Sequence, residues 1–164
     1  MSCELQTNSM LDLYKELKAL VGRLNEAKIN YALCGGLALA LYGIPRATVD
    51  IDILIEKEYL DQVQALTRGL GYIIKAEPMS FVQGGIEIHR VSKKDIETGY
   101  WLSLDFLLVT PLIKKVWDSR KEVEWEEGTI RVVSREGLLY LKSLRGSGQD
   151  LDDIQKLKEG INES

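Results

Sequence analysis

The chain has 164 residues, of which 45% are apolar and 28% are charged, and its formal net charge at pH 7 is −4. This composition excludes an intrinsically disordered chain, and the length suits a single domain, residues 1–164, with a hydrophobic core. Two cysteines exclude a disulfide framework, and the acidic balance disfavours a protein that binds duplex DNA. No apolar run is long enough to cross a bilayer and the first ten residues lack a secretory pattern, so we expect a cytoplasmic protein with no membrane contact.

The first 70 residues alternate between helical and strand patterns. Leucines recur at helical spacing from residue 10, with Ser9 as a suitable N-cap, and glycines or a proline end the segments that follow. The predicted elements are, in chain order, a helix over residues 10–27, a strand over 31–34, a short helix ending at Gly43, a strand from Val49 and a helix over 58–70.

The pattern changes after Gly71, where short segments rich in β-forming residues are separated by turn formers. The predicted elements are, in chain order, several strands of one mixed sheet, a short helix from Pro111 to about Asp118, a hairpin turning at Glu127 and Gly128, and a helical pair over about 134–160 broken at Gly146 to Gly148. This order predicts an α+β fold (α/β-like) in which helices pack around a mixed β-sheet.

Two aspartates stand one residue apart in the second predicted strand. Side chains alternate between the faces of a strand, so Asp50 and Asp52 point the same way while the isoleucines between and after them point into the core. Neighbouring carboxylates repel each other unless a cation lies between them, and hard oxygen ligands suit Mg²⁺ or Mn²⁺. The pair therefore predicts a metal site that can also bind substrate phosphates.

A third acid, Asp105, is the only acidic residue in the apolar segment WLSLDFLLV, where it shares a face with Ser103 and Leu107. If this strand lies beside the strand of Asp50, the three acids converge on one edge of the sheet and can hold two metal ions. Such a site serves in-line phosphoryl or nucleotidyl transfer. Asp105 would then be placed to take the proton of the acceptor hydroxyl.

A pair of glycines, Gly35 and Gly36, follows the first predicted strand. A backbone without Cβ lets a phosphate approach closely, and the helix that follows offers free N–H groups. We therefore expect a triphosphate to lie over these glycines.

These motifs together resemble the signature of a known superfamily: Gly35-Gly36, a spacer ending in Arg46-Ala-Thr48, and Asp50-Ile-Asp52. The sequence resembles the minimal, single-domain members of the DNA polymerase β-like nucleotidyltransferases. It is similar to the AbiEii-type nucleotidyltransferase toxins and, in size and layout, to the small lincosamide and aminoglycoside nucleotidyltransferases. Asp105 matches the family's third catalytic carboxylate, and the core motif spans residues 30–108.

The resemblance implies the nucleotidyltransferase fold, a nucleoside triphosphate donor, two Mg²⁺ ions, with Mn²⁺ as a substitute, and a hydroxyl acceptor. It also implies that Asp50, Asp52 and Asp105 are both catalytic residues and metal ligands. A second copy of the chain or a cognate antitoxin is the expected protein partner. The helical pair, with Lys142 and a polar run from Gln149 to Asp153, is similar to the closing helices of these proteins.

Arg46, Thr48 and Lys142 are further candidates for nucleotide binding. Arg46 is placed either to contact phosphate or to anchor its loop, and Thr48 to orient an acid. Lys142 either reaches the triphosphate or is an ordinary solvated helix lysine, and the residues alone slightly favour the second interpretation. We expect His89, the only histidine, to be a surface or cleft residue rather than a metal ligand.

Two hypotheses for function follow. The first is a metal-dependent nucleotidyltransferase that moves a nucleoside monophosphate from a nucleoside triphosphate to a hydroxyl of a protein, a tRNA or a small molecule. The second is a non-catalytic nucleotide-binding or partner-binding module with the same fold, such as one half of a toxin–antitoxin pair.

Overall fold

The computed structural model describes residues 2–44, 48–126, 128–145 and 148–163. The helices in these residues are α1 (Ser2–Glu26), α2 (Gly35–Leu41), α3 (Leu60–Gly69), α4 (Lys114–Asp118), α5 (Arg135–Arg145) and α6 (Gly148–Glu163). The strands are β1 (Ala32–Cys34), β2 (Asp50–Ile55), β3 (Ile74–Lys75), β4 (Met79–Phe81), β5 (Ile86–Lys94), β6 (Trp101–Leu108), β7 (Lys121–Trp125) and β8 (Gly128–Val132). None of the helices in the described ranges is long and apolar enough to cross a membrane.

The described strands form one mixed sheet in the order β3-β5-β6-β2-β1-β8-β7, with β4 also paired to β5. β2 and β6 are parallel, as are β1 and β8, whereas the other neighbours are antiparallel. The mixed sheet and the C-terminal pair α5 and α6 confirm the predicted α+β fold. The central position of β2 and β6 places the predicted acids in the middle of the sheet rather than at its ends.

The two faces of the sheet have different neighbours. One face buries Ile53 and Phe106 completely, and Lys93 on that face makes an ion pair with Glu16 of α1 at 2.9 Å, so α1 covers it. The other face carries Asp50, where α2 packs against β2. The apolar core therefore lies largely beneath α1, and the acids lie on the opposite side of the same strands.

The N-terminal helix differs from its prediction. α1 begins at Ser2, so Ser9 lies inside the helix and the prediction that it caps the helix is wrong. Residues 2–8 contain neither glycine nor proline, so their backbone chemistry does not stop the helix.

The other predicted boundaries agree more closely. β2 begins at Asp50, one residue after the predicted start, and a 3₁₀ turn over Lys57–Tyr59 precedes α3. β7 and β8 pair with Trp125 opposite Gly128, which confirms the hairpin. Glu127, Gly146 and Ser147, where the hairpin turn and the helical break were predicted, lie outside the described residues.

Candidate active site

The three predicted acids lie on one face of two adjacent parallel strands. In the β2–β6 register Asp52 is the partner of Asp105, and Asp50 is the partner of Ser103. Directly paired residues of neighbouring strands project to the same face of a sheet, about 4.8 Å apart along the hydrogen-bonding direction. The structure therefore brings Asp50, Asp52 and Asp105 together as predicted, because β6 adjoins β2, but it places them in the middle of the sheet and not at the predicted edge.

Arg90 completes this group, and it was not among the predicted site residues. In the antiparallel β5–β6 pair Arg90 is the partner of Asp105. Its Nε donates a hydrogen bond to Asp105 Oδ1 at 2.7 Å, and its Nη2 donates to Asp105 Oδ2 at 2.9 Å. The same Nη2 lies 3.5 Å from Asp50 Oδ2. One guanidinium therefore joins two of the three acids.

A signal for Arg90 was present in the sequence. Ile86, Ile88 and Arg90 alternate along β5 and so share a face, on which Arg90 is the first charged residue after two apolar ones. Such a residue needs a charged partner when the strand is paired on both sides. Its partner could not be identified without knowing that β5 lies next to β6.

Burial and the neighbouring charges together determine the pKa of Asp50. Burial raises the pKa of Asp50; the positive charge of Arg90 opposes that effect, and the negative charge of Asp105 adds to it. The hydrogen bonds to Asp105 raise the pKa of Arg90 further above its ordinary value. Asp105 is the most enclosed of the ion-paired side chains here, at 11% exposure, against 35% for Asp50 and 36% for Arg90.

The two glycines are required by the packing of the acids. Gly35 has φ +68°, in the left-handed region, and a Cβ on it would overlap the carboxylate of Asp52. A Cβ on Gly36 would lie 2.9 Å from Cβ of Thr48, closer than side chains approach one another. The glycines therefore allow β1 and α2 to approach Asp52 and Thr48 closely, whether or not a phosphate also lies there.

Thr48 contacts the backbone at the start of β2. Its hydroxyl donates to the carbonyl oxygen of Asp50 at 3.2 Å and lies 3.4 Å from the amide nitrogen of the same residue. It therefore fixes the main chain that carries Asp50. Arg46, the other predicted residue of this loop, lies outside the described residues.

Lys142 is buried, so the interpretation of it as a solvated lysine is wrong. The residue is 8% exposed on α5, and its Nζ lies 3.3 Å from Oδ2 of Asp153 on α6, which is also buried. Burial raises the pKa of the Cys34 thiol, the charges of Asp52 and Asp105 raise it further, and the charge of Lys142 opposes them. Lys142 therefore belongs to the same electrostatic environment as the acids.

His89 lies away from this group. It is adjacent to Arg90 in β5 and therefore projects to the opposite face of the sheet. Its Nε2 lies 3.0 Å from Oε1 of Glu87, and its side chain is 12% exposed, so of the two predicted positions, surface or cleft, it does not occupy an open surface.

The carboxylates are not arranged as a ready metal centre. Within the described ranges, no three His, Cys, Asp or Glu side chains form a group that could hold a metal ion as they stand. The geometry at Asp105 gives a reason, because both of its oxygens accept hydrogen bonds from Arg90. The donor set itself fits a hard divalent cation, since it consists of carboxylate oxygens on one face, and two of the three carboxylates already share a cationic group.

Comparison with known proteins identifies the family of the chain. The sequence model of the family described as "Nucleotidyl transferase AbiEii toxin, Type IV TA system" matches residues 18–142. No curated protein sequence matches the chain.

Several solved structures share the fold. The Thermotoga maritima protein TM1012, assigned as a nucleotidyltransferase, superposes with a TM-score of 0.58 at 19% identity, covering 93% of this chain and 94% of that one. ANT(2″)-Ia, solved with adenylyl-2″-tobramycin, gives a TM-score of 0.57 at 14% identity, with coverages of 94% and 90%. JHP933 of Helicobacter pylori gives 0.53 at 20% identity, with coverages of 91% and 66%. These similarities establish the nucleotidyltransferase fold.

Proposed function

Because the chain belongs to the family of AbiEii nucleotidyl transferase toxins of type IV toxin–antitoxin systems, we propose that it is a metal-dependent enzyme that moves a nucleoside monophosphate from a nucleoside triphosphate to a hydroxyl acceptor. The observation that carries this proposal is the register of β2 and β6, which aligns Asp52 with Asp105 and sets Asp50 on the same face. A cognate antitoxin is the protein partner that the family suggests.

We propose that Asp50, Asp52 and Asp105 hold Mg²⁺. Their oxygens are of the type that this ion prefers, and they converge on one face of the sheet. The bound ions would supply charge neutralisation at the triphosphate and would lower the pKa of the acceptor hydroxyl. Gly35 and Thr48 support this role, because the first leaves room for the Asp52 carboxylate and the second holds the backbone of Asp50.

The chain's own residues then have distinct tasks. The acceptor oxygen forms a bond to the α-phosphorus, the bond from that phosphorus to pyrophosphate breaks, and Asp105 takes the acceptor proton. Lys142, whose Nζ lies 3.3 Å from Asp153, is the candidate cation for the triphosphate, together with Arg46. The backbone at Gly35 and Gly36 offers a surface without Cβ atoms for the phosphates.

Replacement of Asp52 by Asn tests the metal site. We expect D52N to reduce transfer of label from α-labelled nucleoside triphosphate by about 100-fold or more. The amide is a poor ligand for Mg²⁺. Loss of a ligand is at least as costly as loss of a residue that only supports a ligand, for which losses of about 10- to 100-fold are typical. The matched control is D118N, since Asp118 on α4 is 59% exposed and makes an i, i+4 ion pair with the exposed Lys114. Undiminished transfer by D52N would contradict the assignment, provided that thermal unfolding shows both variants to be folded.

The same assay identifies the acceptor. The protein is incubated with each α-labelled nucleoside triphosphate, Mg²⁺ and separated RNA, protein and small-molecule fractions of a lysate. The labelled fraction identifies the acceptor class. Thermal stabilisation by nucleoside triphosphate with Mg²⁺, without label in any fraction, would instead support the non-catalytic binding module.

A further inference from the structure

Arg90 occupies both oxygens of the carboxylate that the proposed function assigns to a metal. Oδ1 of Asp105 accepts from Nε at 2.7 Å and Oδ2 accepts from Nη2 at 2.9 Å, which is the two-pronged geometry of a strong arginine–carboxylate pair. Each carboxylate oxygen keeps a second lone pair, so a metal ion bound by Asp105 would share an oxygen atom with the guanidinium. The two cations would then lie against the same carboxylate.

The guanidinium also reaches the neighbouring acid. Nη2 lies 3.5 Å from Oδ2 of Asp50, so one cationic group stands between carboxylates of two strands. A divalent cation shared by these acids would lie in the same region and would be repelled by the guanidinium. This repulsion is weakly screened at Asp105, whose side chain is 11% exposed.

The backbone fixes where the guanidinium starts but leaves its end free to move. Arg90 is paired with Asp105 in a continuous β5–β6 ladder that runs from Ile88 to Lys94. Its side chain is 36% exposed, so the guanidinium can leave Asp105 for solvent without displacing the core. The ladder therefore fixes the backbone of Arg90, while the exposure of its side chain leaves solvent into which the guanidinium could move.

We propose that Arg90 is a positioning residue that competes with divalent metal for Asp105, so that the resting site binds metal weakly until the guanidinium moves away. This inference rests on the proposed function, because it assumes that Asp50, Asp52 and Asp105 are metal ligands. It assigns to Arg90 a role that a purely structural ion pair would not have: its removal strengthens metal binding.

The test measures binding of Mn²⁺ alone to the full chain by electron paramagnetic resonance of the free ion. We expect R90M to bind Mn²⁺ about tenfold more tightly than the wild type, and R90K to lie between them, since an ammonium keeps the charge but cannot hold both oxygens. R131M is the matched control: Arg131 is 39% exposed and lies 3.7 Å from Glu122 on the β7–β8 hairpin, so its removal leaves Mn²⁺ affinity unchanged.

Two results would overturn the inference, and they are distinguishable. If the wild type binds Mn²⁺ in a manner that D52N abolishes, but R90M and R90K bind equally or more weakly, then Arg90 does not compete and the proposed function stands. If D52N binds as well as the wild type, or no chain shows saturable binding, the metal site itself is wrong and both proposals fail. If R90M does not fold, the affinity of R90K relative to the wild type decides the question by itself.

Discussion

Gly35 combines a left-handed backbone conformation with a close approach to a site residue, and comparison with a second glycine separates the two effects. An alanine there meets two penalties, a left-handed φ of +68° and overlap with the Asp52 carboxylate. We expect G35A to lower the free energy of unfolding by about 1–3 kcal/mol and to abolish label transfer, because the carboxylate has to move.

The matched control for this prediction is G43A. Gly43 has φ +83°, yet no atom lies within 4 Å of where its Cβ would be. We expect the free energy of unfolding of G43A, measured in urea, to fall by only about 1 kcal/mol, and label transfer to be retained. Equal transfer by G35A and G43A would show that the close approach to Asp52 is unimportant.

At the level of single residues, local chemistry predicted the acids but not their counter-ion. Alternation along a strand places Asp50 beside Asp52 without any knowledge of the rest of the chain. Arg90 reaches Asp105 only because β5 and β6 pair, and the sequence does not specify that pairing. The burial of Lys142 was missed for a similar reason, since it depends on how α6 packs against α5.

Among the elements, α5 and α6 are joined by a buried ion pair that carries a further prediction. Lys142 and Asp153 have side chains that are 10% and 4% exposed. We expect K142M to lower the free energy of unfolding by about 3 kcal/mol, because it removes one charged partner from a buried carboxylate. In the double variant K142M/D153L much of this loss should be recovered.

The double variant also separates structure from function. If Lys142 contacts the triphosphate, stability returns in K142M/D153L but label transfer does not. The exposed pair Lys114–Asp118 on α4 is the control, and K114M should change stability by less than about 0.5 kcal/mol. Recovery of transfer together with stability would leave Lys142 a purely structural role.

The sequence predicted those helices and strands whose patterns involve residues close to one another in the chain. The periodic leucines of α1 and the hairpin of β7 and β8 depend on residues close in sequence. The start of α1 was misplaced because Ser9 is a good N-cap only if the helix begins there, and residues 2–8 also permit a helix. The order of strands in the sheet depends on contacts between distant segments, which periodicity does not encode.

Across the whole molecule, two buried tyrosines and one half-buried tyrosine make the free energy of unfolding depend on pH in the alkaline range. Burial raises the pKa of Tyr31, Tyr42 and Tyr72 above 10, and for Tyr72 a hydrogen bond to Glu16 raises it further. Above about pH 10 the unfolded chain therefore releases protons that the folded chain keeps. Because the folded state then binds more protons, the free energy of unfolding falls as pH rises from about 10 towards the folded pKa values.

Replacement of Tyr72 tests this dependence. We expect the free energy of unfolding of Y72F to be about 1 kcal/mol lower than that of the wild type at neutral pH, since the variant lacks the Tyr72 hydroxyl that donates to Oε2 of Glu16 at 2.7 Å. We also expect the fall in stability above pH 10 to become shallower by up to about 1.4 kcal/mol per pH unit. Urea unfolding at several pH values measures both quantities, with Y100F as the exposed control. An unchanged slope in Y72F would contradict the assignment.

The register between β2 and β6 decides which changes of chain length the site can tolerate. Residues 95–100 join β5 to β6 outside the ladder, so extra residues there leave Asp105 opposite Asp52. One extra residue inside β6 before Asp105 turns its carboxylate towards α1 and presents Leu104 or Phe106 to the other acids. Natural variation in length should therefore accumulate in this turn and be absent from β6, a pattern that aligned relatives can reveal without any assay.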